Sequence, residues 1–152
     1  TDPKAEFQLL GEIGSDNATA ISIEEINLWQ QMKLVTYLGV TDDVRNFIEK
    51  ADCIVLPSYR EGMSRVLLES ASMKKPIVTT DVPGCREIVI DNFNGFLCKP
   101  KNYKDLAIKI ERMINLSEKE RINFGINGRK HIVENFNESI VIDKYIELIN
   151  SI

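Results

Sequence analysis

Two glutamates flank the point at which a predicted loop passes into a predicted helix. Glu61 and Glu69 are separated by seven residues, and Ser64 lies between them. The apolar run at 53–56 is typical of a buried strand, and the apolar spacing over 66–73 predicts a helix. In an open parallel sheet, ligands bind beyond the carboxyl ends of the strands. We therefore expect the ligand site where this strand, loop and helix start meet.

The predicted helix start carries groups that suit a phosphate. The backbone N–H groups of Ser64, Arg65 and Val66 have no acceptor within a helix that begins there, and the helix dipole adds partial positive charge. Arg65 faces the positive end of that dipole, which costs roughly a few tenths of a kcal/mol unless an anion docks beside it. The simpler interpretation is an exposed ion pair of Arg65 with Glu69, which would contribute little. The sequence leaves both interpretations open.

The two carboxylates are better suited to sugar hydroxyls than to phosphate, which they would repel. Glu69 can accept hydrogen bonds from the two hydroxyls of a ribose, and a buried charge-assisted bond contributes roughly 1.5–3 kcal/mol. Glu61, in the loop, can bind the hydroxyls of a second sugar beyond a diphosphate, and Gly62 lets the main chain approach the ligand. On these residues alone, solvated surface charges are the competing interpretation.

Composition excludes several other classes of protein. The chain has 152 residues and a net charge of −4, which fit one ordinary domain without a broad nucleic-acid footprint. The three cysteines are unevenly spaced, so we expect reduced thiols in a cytoplasmic protein, with no disulfide and no metal site. The only histidine, His131, is expected to be a surface or packing residue. No apolar run approaches the roughly 20 residues that cross a bilayer, and no leader segment is evident, so we expect the interior of a longer protein.

Strand-like and helical patterns alternate along most of the chain. The strand-like runs lie at 7–10, 34–38, 53–56, 76–80 and 96–98. This alternation predicts an α/β fold, a Rossmann-like parallel sheet flanked by helices. Pro83 and Gly84 are expected to open a short helix at 86–89. Beyond Pro100 only helical patterns follow, so residues 101–152 are predicted to form a helical part packed on the rest.

The pair Glu61-x7-Glu69, preceded by residues 55–59, resembles the nucleotide-sugar signature of the family 4 (group 1) glycosyltransferases. The likeness extends from Phe7 to Ile149, with further matches at 35–39, 51–52, 75–78, 83–89 and 94–97. It implies the GT-B architecture, in which two Rossmann-like domains enclose the active site. Residues 1–152 resemble its C-terminal, donor-binding domain as a fragment of a longer two-domain enzyme. The chain is most similar to bacterial enzymes that build surface polysaccharides or lipid-linked oligosaccharides.

The resemblance also implies roles for individual residues. Glu61 would contact the transferred sugar and is the catalytic candidate, while Glu69 would bind the ribose. The full donor-binding set is Gly39, Val40, Glu61, Gly62, Met63, Ser64, Arg65, Val66 and Glu69. Gly39 and Val40 would lie near the base, and the amides of 62–66 would hold the hexose and the diphosphate. Such enzymes retain anomeric configuration and need no cofactor and no essential metal, with which the absence of an Asp-x-Asp motif is consistent.

By this resemblance the donor is a UDP-sugar of the UDP-Gal, UDP-GalNAc or UDP-Glc type. The acceptor, a saccharide or lipid-linked saccharide, would be bound by an N-terminal domain outside this chain. The longer enzyme would work in the cytoplasm or at the inner face of the membrane, with a peripheral membrane contact and no nucleic-acid partner. The family's phosphate-binding Arg and Lys would precede Phe7, so we expect the isolated chain to bind nucleotide weakly and to transfer no sugar.

The sequence departs from the family pattern at three positions. Lys74 stands where the family usually has Gly, Ser64 where Pro is frequent, and Ser70 where Ala is usual. Two other functions compete with this interpretation. A non-catalytic nucleotide-sugar binding module would need Glu69 but not Glu61, so the presence of Glu61 favours an enzyme. A sugar-nucleotide epimerase of the same architecture would be expected to bring catalytic carboxylates and histidines, and the single histidine lies far from the ligand edge in sequence.

Overall fold

The computed structural model describes residues 5–13 and 21–151. Contacts between Cα atoms divide the chain into two compact units, one up to Val44 and the other from Arg45 onward. Within the described ranges, no helix has both the length and the apolar character needed to cross a membrane.

The unit up to Val44 contains a two-stranded parallel sheet and one helix. Strand β1 (Gln8–Leu9) pairs with β2 (Thr36–Tyr37), and helix α1 (Ile23–Gln31) lies between them in sequence. Ser22 caps this helix: its hydroxyl accepts from the Glu25 N–H at 3.2 Å, and the Glu25 carboxylate accepts from the Ser22 N–H at 3.1 Å. This reciprocal capping satisfies two of the donors that a helix start leaves free.

The unit from Arg45 contains a three-stranded parallel sheet and five helices within the described residues. Its elements are α2 (Arg45–Lys50), β3 (Ile54–Leu56), α3 (Arg65–Ser72), β4 (Ile77–Thr80), β5 (Gly95–Cys98), α4 (Tyr103–Asn115), α5 (Glu118–Asn135) and α6 (Glu138–Asn150). The strand order is β3-β4-β5, so β4 is central, and all four of its residues are buried. The predicted α/β fold with parallel strands is confirmed.

Helices cover both faces of the three-stranded sheet. Successive side chains of a strand point to opposite faces, so Ile77 and Val78 of β4 belong to different core clusters. The Ile77 cluster includes side chains from α3 and α5, whereas the Val78 cluster contains Phe96 of β5 and Met113 of α4. A parallel strand buried on both faces explains the continuous apolar run at the start of β4. Helix α6 has no buried residue.

Helix α3 ends in a left-handed turn at Lys74, the position at which the resemblance noted above leads one to expect glycine. Lys74 has φ +60°, and its N–H donates to the Ala71 carbonyl at 3.0 Å while the Lys75 N–H donates to the Ser70 carbonyl at 3.0 Å. These two bonds make a Schellman motif, whose left-handed position glycine fills most easily. The Lys74 carbonyl lies against α5, where a Cβ at Gly125 would stand 1.9 Å from it. The turn is therefore formed with lysine at residue 74, and Gly125 allows the Lys74 carbonyl to approach α5 closely.

The predicted short helix at 86–89 is wrong. The segment after Gly84 forms consecutive turns instead, with the Ile88 and Val89 N–H groups both donating to the Cys85 carbonyl, at 3.1 and 2.9 Å. The side chain of buried Asn94 then accepts from the Ile90 N–H at 2.7 Å and donates to the Ile88 carbonyl at 2.9 Å. Because the Asn94 side chain satisfies these groups, the backbone has no need to continue as a helix.

Candidate functional site

The loop that carries Glu61 begins at the carboxyl end of β3 and ends at the start of α3. Thr79 of the neighbouring strand β4 anchors its beginning, because the Thr79 hydroxyl donates to the Leu56 carbonyl at 2.8 Å. Ser64 ends the loop as the N-cap of α3 and is 4% exposed. The structure thus places the Glu61 loop at the carboxyl edge of a parallel sheet, where the sequence predicts a ligand site.

The start of α3 differs in one respect from the sequence prediction. The Ser64 N–H is already engaged, because it donates to the carbonyl of Gly84 at 3.3 Å. The prediction that this amide is available to a ligand is therefore wrong: a turn far away in sequence supplies its acceptor. The N–H groups of Arg65 and Val66, in the first turn, have no acceptor within the helix by their position. These two amides can still face an anion.

Glu61 is half-buried, and a neighbouring hydroxyl holds its carboxylate. Its Oε1 accepts a short hydrogen bond from the Ser58 hydroxyl. A carboxylate has two oxygens with about four acceptor positions, so acceptor capacity is left for ligand hydroxyls. Sequence reasoning missed the role of Ser58, although a serine three residues before a loop glutamate was visible as a signal.

Glu69 lies on the second turn of α3 and forms the ion pair that the sequence left as one of two alternatives. Its Oε1 is 4.0 Å from Nη2 of Arg65, and the two side chains are 38% and 90% exposed. A pair this long and this exposed contributes little to stability, so the carboxylate can exchange its partner for a ligand at small cost. An anion beside Arg65, the other alternative, stays a prediction.

The backbone of the turn at Gly84 packs directly against the Glu61 loop; we call this packed surface the wall. Its φ of +83° lies in the left-handed region, and a Cβ there would stand 1.5 Å from the carbonyl oxygen of Gly62 and 2.9 Å from Cβ of Glu61. By contrast, a Cβ on Gly62 would meet nothing within 4 Å. The loop therefore rests on Gly84 on one side, while Gly62 is open on the side where a ligand can approach.

Glu87 and His131 support this wall, a role that sequence reasoning did not find. The Gly84 N–H donates to Oε2 of Glu87 at 2.7 Å. The Glu87 carbonyl in turn accepts a hydrogen bond from Nε2 of His131 at 2.8 Å, and the His131 ring packs edge-on against Phe136 with 5.6 Å between ring centroids. The prediction of His131 as a surface or packing residue is confirmed.

The three cysteines are free thiols, and burial raises the pKa of each. Burial raises the pKa of the fully buried Cys85 thiol, the charges of Glu61 and Glu87 raise it further, and the Thr79 side chain acts in the opposite direction. Burial raises the pKa of the Cys53 thiol to about 12, and burial also raises that of Cys98. Because the thiolate is the reactive form, a raised pKa lowers the reactivity of a thiol at neutral pH. The prediction of reduced thiols in a cytoplasmic protein stays a prediction.

Positive charge and an aromatic ring lie beside the Glu61 loop. Tyr59 is 59% exposed, and the ammonium of Lys101 lies 5.6 Å from its ring centroid. Arg60 and Met63 of the same loop are exposed. Arg86 is held by Asp81, with 2.9 Å between Nε and Oδ1. Within residues 5–13 and 21–151, no cluster of three or more His, Cys, Asp or Glu could hold a metal ion.

Two predicted donor-binding residues belong to the unit up to Val44. Gly39 has φ +85° and its carbonyl accepts from the Gly11 N–H at 2.9 Å, so it closes β2 as predicted. Val40 is 68% exposed. The other predicted residues, Glu61 to Val66 and Glu69, lie together in the unit from Arg45.

At this edge of the sheet the structure combines a loop that carries Glu61, a helix start whose Arg65 and Val66 amides have no acceptor within the helix, and Glu69 on the second turn of that helix. Residues 1–131 match the profile of the family described as glycosyl transferases group 1. The chain belongs to this family.

Named relatives agree with that assignment. The chain is 35% identical over 146 residues to the N,N'-diacetylbacillosaminyl-diphospho-undecaprenol alpha-1,3-N-acetylgalactosaminyltransferase of Campylobacter jejuni, covering 95% of this chain and 37% of the relative. It is 29% identical over 143 residues to the capsular polysaccharide biosynthesis glycosyltransferase CapM of Staphylococcus aureus, covering 94% and 37%. It thus spans little more than a third of the length of these curated relatives.

Solved structures show the same fold. HepE of Anabaena in complex with UDP superimposes with a TM-score of 0.84 at 22% identity, over 99% of this chain and 42% of that one. The HepE complex with UDP-glucose gives a TM-score of 0.81, also at 22% identity, over 99% and 42%. The fold is therefore that of the GT-B glycosyltransferases.

Proposed function

We propose that this chain is the donor-binding part of a retaining glycosyltransferase that moves a hexose from a UDP-sugar to a saccharide or lipid-linked saccharide. The observation that carries the proposal is the placement of Glu61 and Glu69 at the two ends of a helix start with free amides. The names of the relatives, a diphospho-undecaprenol-linked sugar transferase and a capsular polysaccharide enzyme, support the acceptor class. The HepE complexes with UDP and UDP-glucose support the donor class.

Each end of the site has its own task in this proposal. Glu69 accepts hydrogen bonds from the ribose hydroxyls once its weak pair with Arg65 opens, and the released guanidinium then faces the diphosphate. The Arg65 and Val66 amides and the helix dipole stabilise the negative charge that develops on the leaving UDP. This stabilisation suits a reaction that needs no cofactor and no essential metal.

Glu61 binds the sugar end of the donor. The Ser58 hydroxyl orients one carboxylate oxygen, and the second oxygen accepts from hydroxyls of the transferred hexose. This orientation fixes the anomeric carbon relative to an acceptor that a further domain supplies. We place the longer enzyme in the cytoplasm at the inner face of the membrane, where a lipid-linked acceptor is accessible.

Ligand titration by NMR tests the assignment, since it detects the weak affinities expected of this chain alone. Glu69→Ala should weaken UDP binding about 10- to 150-fold, which corresponds to the loss of roughly 1.5–3 kcal/mol. Glu61→Ala should leave UDP affinity unchanged and abolish the extra affinity of a UDP-hexose over UDP. Glu134→Ala, which removes an exposed carboxylate paired with Lys130 on α5, is the matched control.

Two results would overturn the assignment. One is wild-type affinity for UDP-hexoses in both glutamate variants. The other is tighter binding of GDP or ADP than of UDP, which would exclude the donor class. In the longer enzyme, Glu61→Ala should abolish sugar transfer but leave UDP bound; unchanged transfer would contradict a catalytic role for Glu61.

A further inference from the structure

We propose that Glu87 is a positioning residue for the sugar end of the donor site, acting through the Gly84 turn on the Glu61 loop. The proposal rests on the function proposed above, in which Glu61 contacts the hexose. It assigns to Glu87 no contact with the donor. Its task is to hold the surface on which the Glu61 loop lies.

The first step is the contact between the Gly84 turn and the loop. The two backbones touch so closely that no Cβ fits at Gly84, because it would stand 1.5 Å from the Gly62 carbonyl oxygen. The same turn accepts the Ser64 N–H through the Gly84 carbonyl at 3.3 Å. The loop is therefore held at Gly62 and at Ser64, on both sides of Met63. A shift of the turn must move the loop with it, since packed backbone does not compress.

The second step is the bond that holds the turn. The Gly84 N–H is buried and donates to the Glu87 carboxylate at 2.7 Å. A charge-assisted bond of this length is among the stronger ones in proteins, and a buried N–H that loses its acceptor must find another. Without the Glu87 carboxylate, the turn gains by rotating its peptide toward water. That rotation moves the surface behind Glu61.

The third step is the contact through which α5 holds Glu87 in place. A carbonyl oxygen can only accept, so Nε2 of His131 carries the hydrogen of the 2.8 Å bond to the Glu87 carbonyl. Asn135 reaches the other ring nitrogen at 3.1 Å, and Phe136 packs on the ring. The contacts thus run from a rigid helix through Glu87 and Gly84 to the loop. Glu69 lies on the second turn of α3, beyond the Ser64 N-cap that the Gly84 turn holds, and makes none of these contacts itself.

The consequence is that recognition of the hexose and recognition of UDP can be affected separately. Loss of the Glu87 acceptor should weaken recognition of the hexose, which Glu61 contacts, but not of UDP, which Glu69 contacts. An electrostatic effect is a competing explanation, because the charges of Glu61 and Glu87 both act on the Cys85 thiol. Glutamine separates the two: Glu87→Gln keeps an oxygen that accepts from the Gly84 N–H and removes the charge.

The experiment compares Glu87→Ala, Glu87→Gln and the control Glu134→Ala in NMR titrations with UDP and with a UDP-hexose. Glu87→Ala should lower the preference for UDP-hexose over UDP about tenfold, with UDP affinity unchanged. Glu87→Gln should restore the wild-type preference. Equal losses for both ligands in Glu87→Ala, or a Glu87→Gln variant as impaired as Glu87→Ala, would overturn the positioning role.

Hydrogen exchange at the Ser64 amide gives a readout that needs no ligand. Exchange there should be faster in Glu87→Ala than in wild type and near wild type in Glu87→Gln; unchanged exchange in Glu87→Ala would overturn the positioning role whatever the titrations show. Failure of the function proposed above has a different outcome: wild type would show no preference for UDP-hexose, while Ser64 exchange would still respond to Glu87→Ala.

Discussion

The Gly84→Ala substitution tests most directly whether the wall behind Glu61 is needed. An alanine at φ +83° costs roughly 1–2 kcal/mol, because its Cβ crowds the following carbonyl. The same Cβ would stand 1.5 Å from the Gly62 carbonyl oxygen, whereas Cβ atoms essentially never come within 3.0 Å of another heavy atom, so at least 1.5 Å of movement is required. Such overpacking costs a further ~1–3 kcal/mol.

The expected result is a loss of both stability and sugar recognition. The free energy of unfolding, measured by urea denaturation, should fall by about 2–5 kcal/mol, the sum of the backbone and packing costs. Because a misplacement of about 1 Å can reduce catalysis about 100-fold, sugar transfer by the longer enzyme should fall by at least that factor. UDP binding through Glu69 should survive in the folded fraction, as NMR titration would show.

Two glycine controls separate this effect from a general intolerance of alanine. Gly62→Ala adds a Cβ that meets nothing within 4 Å, and Gly128→Ala adds one whose nearest neighbour is 3.6 Å away. Neither should lower the unfolding free energy by more than about 0.5 kcal/mol. A Gly84→Ala variant with the stability of these controls and the UDP-hexose affinity of Gly128→Ala would refute the wall as we describe it.

Lys74→Gly should raise the unfolding free energy by about 0.5–1 kcal/mol, because relief of the left-handed strain at φ +60° exceeds the entropy that glycine adds to the unfolded chain. Lys144→Gly, within α6, should instead lower it by up to about 1 kcal/mol, and equal effects of the two in urea denaturation would contradict the turn geometry. Ser58→Ala should reduce UDP-hexose affinity about two- to tenfold by releasing the Glu61 carboxylate, with UDP affinity unchanged. Loss of affinity for both ligands in the titration would show that Ser58 supports the fold and not the carboxylate.

Much of the fold was predictable because its signals are local. The serines that cap α1 and α5 each precede a glutamate by three residues, and the structure shows both capping boxes. The apolar run at 53–56 predicted a buried strand covered on both faces, and this is wrong: β3 lies at the edge of the three-stranded sheet with Val55 37% exposed, and the strand that is buried throughout is β4. Strand ends were less predictable: β2 has two residues where five were predicted, since pairing with a short partner limits its length.

The residues that we propose to face the ligand could be selected from the sequence, whereas the residues that support them could not. Glu61 and Glu69 stood out because two carboxylates around a helix start suit the binding of sugar hydroxyls on either side of a phosphate. Glu87 did not, because its task depends on Gly84 being folded against Gly62. The engaged Ser64 amide escaped prediction for the same reason: its acceptor lies 20 positions further along the chain (84 − 64). Contacts across such separations leave no periodic pattern in a sequence.

By itself, the sequence determined the α/β class, the positions of most helix starts, and the two glutamates that identify the family, because each depends on residue types at short spacing. The tertiary structure alone decided which amides of the α3 start are free, which oxygen of Glu61 is already held, and why residue 84 must be glycine. Those three properties are set by what lies opposite in space. Parallel strands bring the end of β3 and the turn after β4 side by side, and only there do the loop and its wall meet.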